Sequence, residues 1–368
     1  MKIAINALPY TSYQGIEVFF TNILKNWPQN NDQIFVFANK KSAVFLSDIR
    51  NIKIIKFNTK HRFILFLLQQ FYLYYLIRKH KIEMLFCPSL EHPWLIKNKI
   101  ITIYDAAPFV IKGESSLIGR MFWKISIYFA KISAKAFITI SEFSKNELID
   151  KLKINKNKIF IINVGANKQK EEIMASDRHD VLENYQLTER GYFLSIGNAR
   201  HRKNLETLLA AFLIVSNNNN KYKLVIVGKM DKAMMILRDK ALKTNKNIIF
   251  TDFVDEKTKK SLIVSAMALV FPSLYEGFGI PILEAQSLNT PVICSNIPAF
   301  REVARSSVLF FPARDAQSLA DNMINILRDP LLAEKLTIQG QENIKRYSWS
   351  SSSEKLVQII HQYENPSN

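Results

Sequence analysis

Two glutamates with seven residues between them, Glu276 and Glu284, lie in the stretch FPSLYEGFGIPILEA. A strand-like run ends at Phe271, a loop holding Gly277 and Gly279 follows, and Pro281 opens a helix where its missing N–H costs nothing. The amides of that helix start, beside a glycine loop, suit phosphate or sugar hydroxyls. Glu276 in the loop can reach a sugar and Glu284, one turn into the helix, a ribose. A carboxylate takes hydrogen bonds from vicinal hydroxyls on both oxygens. An isolated glutamate is ordinarily a surface acid; the framing by strand, glycine loop and proline gives this pair its meaning.

A second group of cations stands in SIGNARHRKNL, after a strand-like run over residues 192–196. Arg202 and Lys203, at a helix start, are placed to offset charge on a departing diphosphate. Away from such a place an Arg-Lys pair is solvated surface. In the first half, Gly15 sits in the turn Tyr13-Gln14-Gly15-Ile16, and ITISEFSKNEL runs from a strand into a helix with Ser141 as its N-cap.

The stretch SLYEGFGIPILEAQSLNTPVICSNIPAFREVA resembles the paired-glutamate motif of the retaining GT-B glycosyltransferases of the glycogen-synthase-like group (family 4, glycosyl transferases group 1), which includes bacterial mannosyltransferases of surface-polysaccharide assembly. The likeness covers nearly the whole chain in order. It implies a catalytic set of Glu276, Asp105 and Lys203. It implies a donor site of Gly15, Arg202, Lys203, Phe278, Gly279, Ile280 and Glu284, with the backbone amides at 278–280 facing sugar or phosphate oxygens. The implied reaction moves a hexose, mannose on GDP first, from a nucleotide diphosphate sugar to a glycan or lipid-linked acceptor, without cofactor or metal. The chain departs from the family at Tyr104-Asp105, where relatives often carry His-Asp, and at Leu288-Asn289-Thr290, where they carry a glycine-containing turn.

The elements that must hold these residues alternate. Strand-like runs at 2–7, 33–38, 52–57, 83–87, 99–103, 136–140 and 158–164 are interleaved with helix-length segments at 15–27, 63–80, 117–135 and 142–153. That alternation predicts a parallel sheet covered on both faces. Residues 169–190 lose apolar periodicity and read as a connection. The pattern then restarts, with strands at 192–196, 223–227, 247–251, 268–271, 291–294 and 308–311. The expectation is α/β: two Rossmann-like domains facing across a cleft. They are an acceptor-binding domain at 1–168 and a donor domain at 191–349, with a last helix at 350–368 that could pack on either, a return to the first domain being the packing put forward.

The net charge of +18 is uneven: residues 1–168 carry 25 Lys and Arg against 10 Asp and Glu, a net of +15. Such a half faces an anionic partner. No nucleic-acid motif accompanies it. The run 63–77 is broken by Gln69-Gln70 and is shorter than the roughly 20 residues that span a bilayer. In 117–136, Arg120, Lys124, Lys131 and Lys135 form a basic stripe opposite Met121, Phe122, Ile125, Phe129 and Ile132. Such a helix either covers the sheet with its lysines solvated or lies on an anionic membrane. The expected location is cytoplasmic, peripheral at the inner face of the inner membrane. Cys87 and Cys294 follow no metal or redox spacing and read as buried small hydrophobes. The competing functions are a nucleotide-sugar epimerase on the same architecture and a non-catalytic sugar-nucleotide or lipid-binding scaffold.

Overall fold

A computed structural model describes residues 1–10, 15–57, 61–111, 113–166, 174–218 and 221–364. The chain forms two compact units, one of residues 1–165 with 348–368 and one of residues 166–347.

Among the described residues the first unit holds a seven-stranded sheet of β1 (Lys2–Ala7), β2 (Gln33–Asn39), β3 (Ile52–Phe57), β4 (Met84–Cys87), β5 (Lys99–Thr102), β6 (Ala136–Thr139) and β7 (Ile159–Ile161). The order is β3-β2-β1-β4-β5-β6-β7 and every pairing is parallel. Central strands such as IAINA in β1 and MLFC in β4 are buried on both faces, which is why they read as continuous apolar runs. Helices Gly15–Lys25, Leu117–Ser133 and Glu142–Asp150 are among the crossovers. Ser141 caps the last of these, accepting a hydrogen bond from the Ser144 amide. The order reverses between β1 and β4, so a crevice opens there at the strands' carboxyl ends. The run 158–164 is strand only over Ile159–Ile161, because β7 is the sheet's edge and has β6 alone to pair with.

The second unit repeats the plan with β8 (Tyr192–Ile196), β9 (Lys223–Val227), β10 (Ile248–Thr251), β11 (Ala268–Phe271), β12 (Val292–Ser295) and β13 (Leu309–Phe311). Its order is β10-β9-β8-β11-β12-β13, all parallel, with the switch between β8 and β11. The segment 169–190 is not a plain connection. It contains helix Ala175–Asn184, which packs in the second unit through buried Leu182 and an Asp177–Lys257 ion pair of 2.7 Å. One buried leucine among charged neighbours hides a helix from a periodicity search. Residues 167–173 lie outside the described set.

Helix Trp349–Gln362 belongs to the first unit. Trp349 packs edge-on to Phe19 at 5.9 Å, the Ser353 hydroxyl donates to the Ile23 carbonyl at 2.9 Å, and Leu356 and Ile360 are fully buried.

Helix Leu117–Ser133 corrects the amphipathic reading. It meets the body of the unit through Ser126, Ile127, Ala130 and Ser133, while Met121, Ile125 and Ile132 on the expected packing side are exposed. Small residues give a closer approach to the sheet than the large ones would. Among the described residues no helix is long and apolar enough to cross a membrane.

Candidate active site

The switch point of the second unit lies between the loops that follow β8 and β11, and these carry the predicted cations and Glu276. A single turn of 3-10 helix, His201–Lys203, ends at Asn204, whose φ of 54° and ψ of 36° are left-handed and tolerable for asparagine. That turn lets the Asn204 side chain donate to the Pro272 carbonyl at 2.9 Å, while the Leu274 amide donates to the Arg202 carbonyl at 2.7 Å. The loops are therefore stitched together by one side-chain and one backbone hydrogen bond before any charge is considered.

Stitching them places Arg202 Nη1 at 2.9 Å from Glu276 Oε2 and Lys203 Nζ at 2.6 Å from Oε1. The Ser273 hydroxyl donates to Oε1 at 2.8 Å. All three charged side chains are between 13% and 16% exposed, so solvent screens them weakly. Burial works to raise the Glu276 pKa, but the Lys203 ammonium and then the Arg202 guanidinium outweigh it and hold the carboxyl below its usual range. Two cations against one carboxylate leave a net charge of +1, suited to a diphosphate. Lys203 Nζ also lies 5.1 Å above the Phe271 ring, which orients it.

Gly279 has φ of +130°, and a Cβ there would come within 3.1 Å of Phe300 and of Ile282. It starts helix Ile280–Ser287, which has no side-chain cap. The Phe278 ring is buried edge-on to Tyr347 at 5.6 Å, so this residue offers a ligand only its backbone. Glu284 stands apart from the triad: its Oε1 is 2.9 Å from Lys259 Nζ, which also meets Glu256 at 2.9 Å. Burial works to lower the Lys259 pKa, and the two glutamates, Glu284 first, turn the shift upward, so the ammonium stays charged.

Three participants escaped the sequence reading. Ser273 stands three residues before Glu276, a spacing that could have flagged it. Asn204 before a helical run carries a turn signal. Lys259, on a polar helix, gives none.

In the first unit, Asp105 follows β5 and its carboxylate accepts a hydrogen bond from the Ala107 amide at 2.9 Å, opening the short helix Ala107–Val110. Gly15 is the exposed first residue of its helix; Tyr13 and Gln14 of its turn lie outside the described residues. Tyr104, standing for the family's histidine, has its ring edge-on to Phe19 at 5.6 Å and a buried hydroxyl that no described residue bonds. Burial, and then the charge of Glu17, push its pKa well up, so it remains neutral. Of the basic stripe, Lys124 is exposed and Arg120, Lys131 and Lys135 are half-buried. Both cysteines are free and buried, and burial pushes the Cys87 pKa up to about 12.

Comparison with known proteins identifies what such a site belongs to. Residues 177–343 match the family described as Glycosyl transferases group 1, and residues 13–170 match Glycosyltransferase Family 4. The chain belongs to the group 1 glycosyltransferases. The glycosyltransferase is 26% identical over 285 residues to O-antigen chain mannosyltransferase B of Escherichia coli, covering 76% of this chain and 74% of that one. It is 29% identical over 238 residues to O-antigen chain mannosyltransferase RfbU of Salmonella typhimurium, covering 64% of this chain and 63% of the relative. Among solved structures it is similar to Anabaena HepE in complex with UDP and glucose, with a TM-score of 0.78 at 14% identity over 98% of this chain and 99% of that one. The likeness bears out the two Rossmann-like units of the GT-B fold.

Proposed function

We propose that this glycosyltransferase moves a hexose, mannose on GDP first, from a nucleotide diphosphate sugar to a hydroxyl of a glycan or lipid-linked acceptor, with retention at the anomeric carbon. The observation that carries the reading is the Arg202–Glu276–Lys203 triad at the switch point of the second sheet. The relatives named as O-antigen mannosyltransferases favour mannose and surface polysaccharide, and HepE, solved with UDP and glucose, favours a nucleotide-borne sugar. The place of work is the cytoplasmic face of the inner membrane.

In this mechanism the bond between the anomeric carbon and the diphosphate oxygen breaks as the acceptor oxygen bonds the same face of that carbon. The acceptor's proton passes to the departing phosphate. Arg202 and Lys203 stabilise the growing negative charge, which is the role of a divalent ion elsewhere, so the reaction runs without metal. Glu276 positions the sugar and Glu284 the ribose. Asp105 is carried over as the family pattern's candidate for the transferred sugar.

The test is a thermal-shift panel of GDP, UDP, ADP and their sugars, with and without Mg²⁺, on wild type and Glu284→Ala. A ligand at about 100 times its Kd adds about 2.7 kcal/mol to stability. A selective, metal-independent rise for GDP ligands that Glu284→Ala abolishes is the expected result. A panel with no shift for any nucleotide removes the reading.

A further inference from the structure

Two helical segments of the first unit bury polar side chains beside their core residues and leave large apolar ones in solvent. Helix Arg62–Leu67 runs through a wide π-helical turn, Leu68–Tyr72, into Leu73–Lys79. That turn carries Gln69 and Gln70 inward, where they are 4% and 8% exposed, and Gln70 bonds the loop at His92 and Trp94. On the outside stand Phe63 at 72% and Phe71 at 67%. Helix Leu117–Ser133 does the same, burying Ser126 and exposing Leu117 at 80%, Ile118 at 81%, Met121 at 65% and Ile132 at 64%. The two helices are neighbours: Phe66 meets Phe122 at 5.9 Å, and Trp94 contacts both rings. The exposed apolar side chains of these two packed segments make up the candidate docking face.

The charge on these helices selects the occupant. The segments 62–79 and 117–133 carry six Lys and Arg and no Asp or Glu. A second copy docked there would meet helices of the same positive charge, which opposes self-association through this face. An anionic bilayer surface satisfies both features at once, taking apolar side chains below its headgroups and drawing the cations to its phosphates. Exposed Tyr74, Tyr75 and Tyr128 have the amphipathic rings found at that depth. Arg78 and Lys79 are already stacked over Tyr74 and Tyr75, at 5.0 Å and 5.8 Å.

We infer that this face docks the enzyme on anionic lipid by inserting the apolar ridge of residues 117–121 together with Phe63 and Phe71, the lysines adding attraction without being the anchor. The inference deepens the proposed function, resting on its membrane-held acceptor, and it is tested without nucleotide so that either can fail alone.

The experiment is sedimentation of the whole protein with vesicles of phosphatidylglycerol and phosphatidylethanolamine, at about 0.1 M and about 0.5 M NaCl, where screening lengths differ about twofold. Insertion predicts binding that persists at the higher salt and falls about tenfold or more in Leu117→Ser/Ile118→Ser/Met121→Ser. These side chains are exposed, so the melting temperature of the variant should stay at the wild-type value. Lys124→Glu/Lys131→Glu should weaken binding at low salt only. Because both native cysteines are buried, an environment-sensitive dye on Ile118→Cys reports from that position alone, and its emission should shift to the blue on vesicles. Binding abolished by high salt yet untouched by the triple serine variant would overturn insertion. So would an absence of vesicle binding, or a dimer by light scattering that the triple variant dissolves.

Discussion

Glu276 is held between the two cations that would receive the donor's diphosphate, and this makes its removal diagnostic. In Glu276→Gln, Arg202 and Lys203 lose their shared carboxylate and the site's net charge rises from +1 to +2. A nucleoside diphosphate should then bind several-fold tighter, gaining about 1 kcal/mol from one uncompensated cation in a weakly screened site. Transfer should fall about a hundredfold or more, because the group proposed to position the sugar is gone. Calorimetric titration with GDP and a turnover assay read the two effects separately; parallel losses of binding and turnover would show that Glu276 holds the loop together instead. The residue types were legible because strand, glycine loop and Pro281 frame them. Their pairing was not, since Arg202 and Glu276 stand 74 positions apart and meet through the Asn204 turn and the Leu274–Arg202 backbone bond. Glu284 read as a ribose acceptor, and its hold on Lys259 came from a helix with no signal.

At the scale of elements, the strands were the most readable part. Runs such as YFLSI and KLVIV are buried on both faces, so length and β-branching alone mark them. The loop between β4 and β5 was not readable, because its order rests on buried polar groups. Lys99, fully buried, donates to the Pro93 and Trp94 carbonyls. His92, 1% exposed, sets its two ring nitrogens 3.1 Å and 3.0 Å from the Pro93 and Ser126 carbonyls, although a neutral ring has one N–H to give. Burial, and then the Lys99 charge, hold its pKa down to about 4 against an ordinary 6.5. The folded value lies below the unfolded one, so the unfolded chain takes the proton first. The stability this represents is complete above pH 6.5 and is lost as pH falls toward 4, by about 3 kcal/mol over the window. Unfolding free energies of wild type and His92→Asn across that range should diverge, the variant's curve being flatter. Parallel curves would exclude His92 as the source.

For the whole molecule, the two sheets were legible as two units, and the return of the C-terminal helix to the first unit was put forward without a residue in the sequence that required it. Its apolar side, Trp349, Leu356 and Ile360, would serve either unit, and only three-dimensional contacts decide that it covers helix Gly15–Lys25. The first unit's core is thus completed by residues from the far end of the chain. Leu356→Ala should cost that unit about 2 to 5 kcal/mol, the range for a buried leucine whose cavity closes incompletely. Hydrogen exchange should locate the loss: amides of residues 19–24, on the helix that Trp349 and Ser353 of the C-terminal helix contact, exchange faster, while strands β8 to β13 keep their protection because they form a separate core. If instead all thirteen strands lose protection together, the two units unfold in a single cooperative step, and the loss at Leu356 is not confined to the first unit's core.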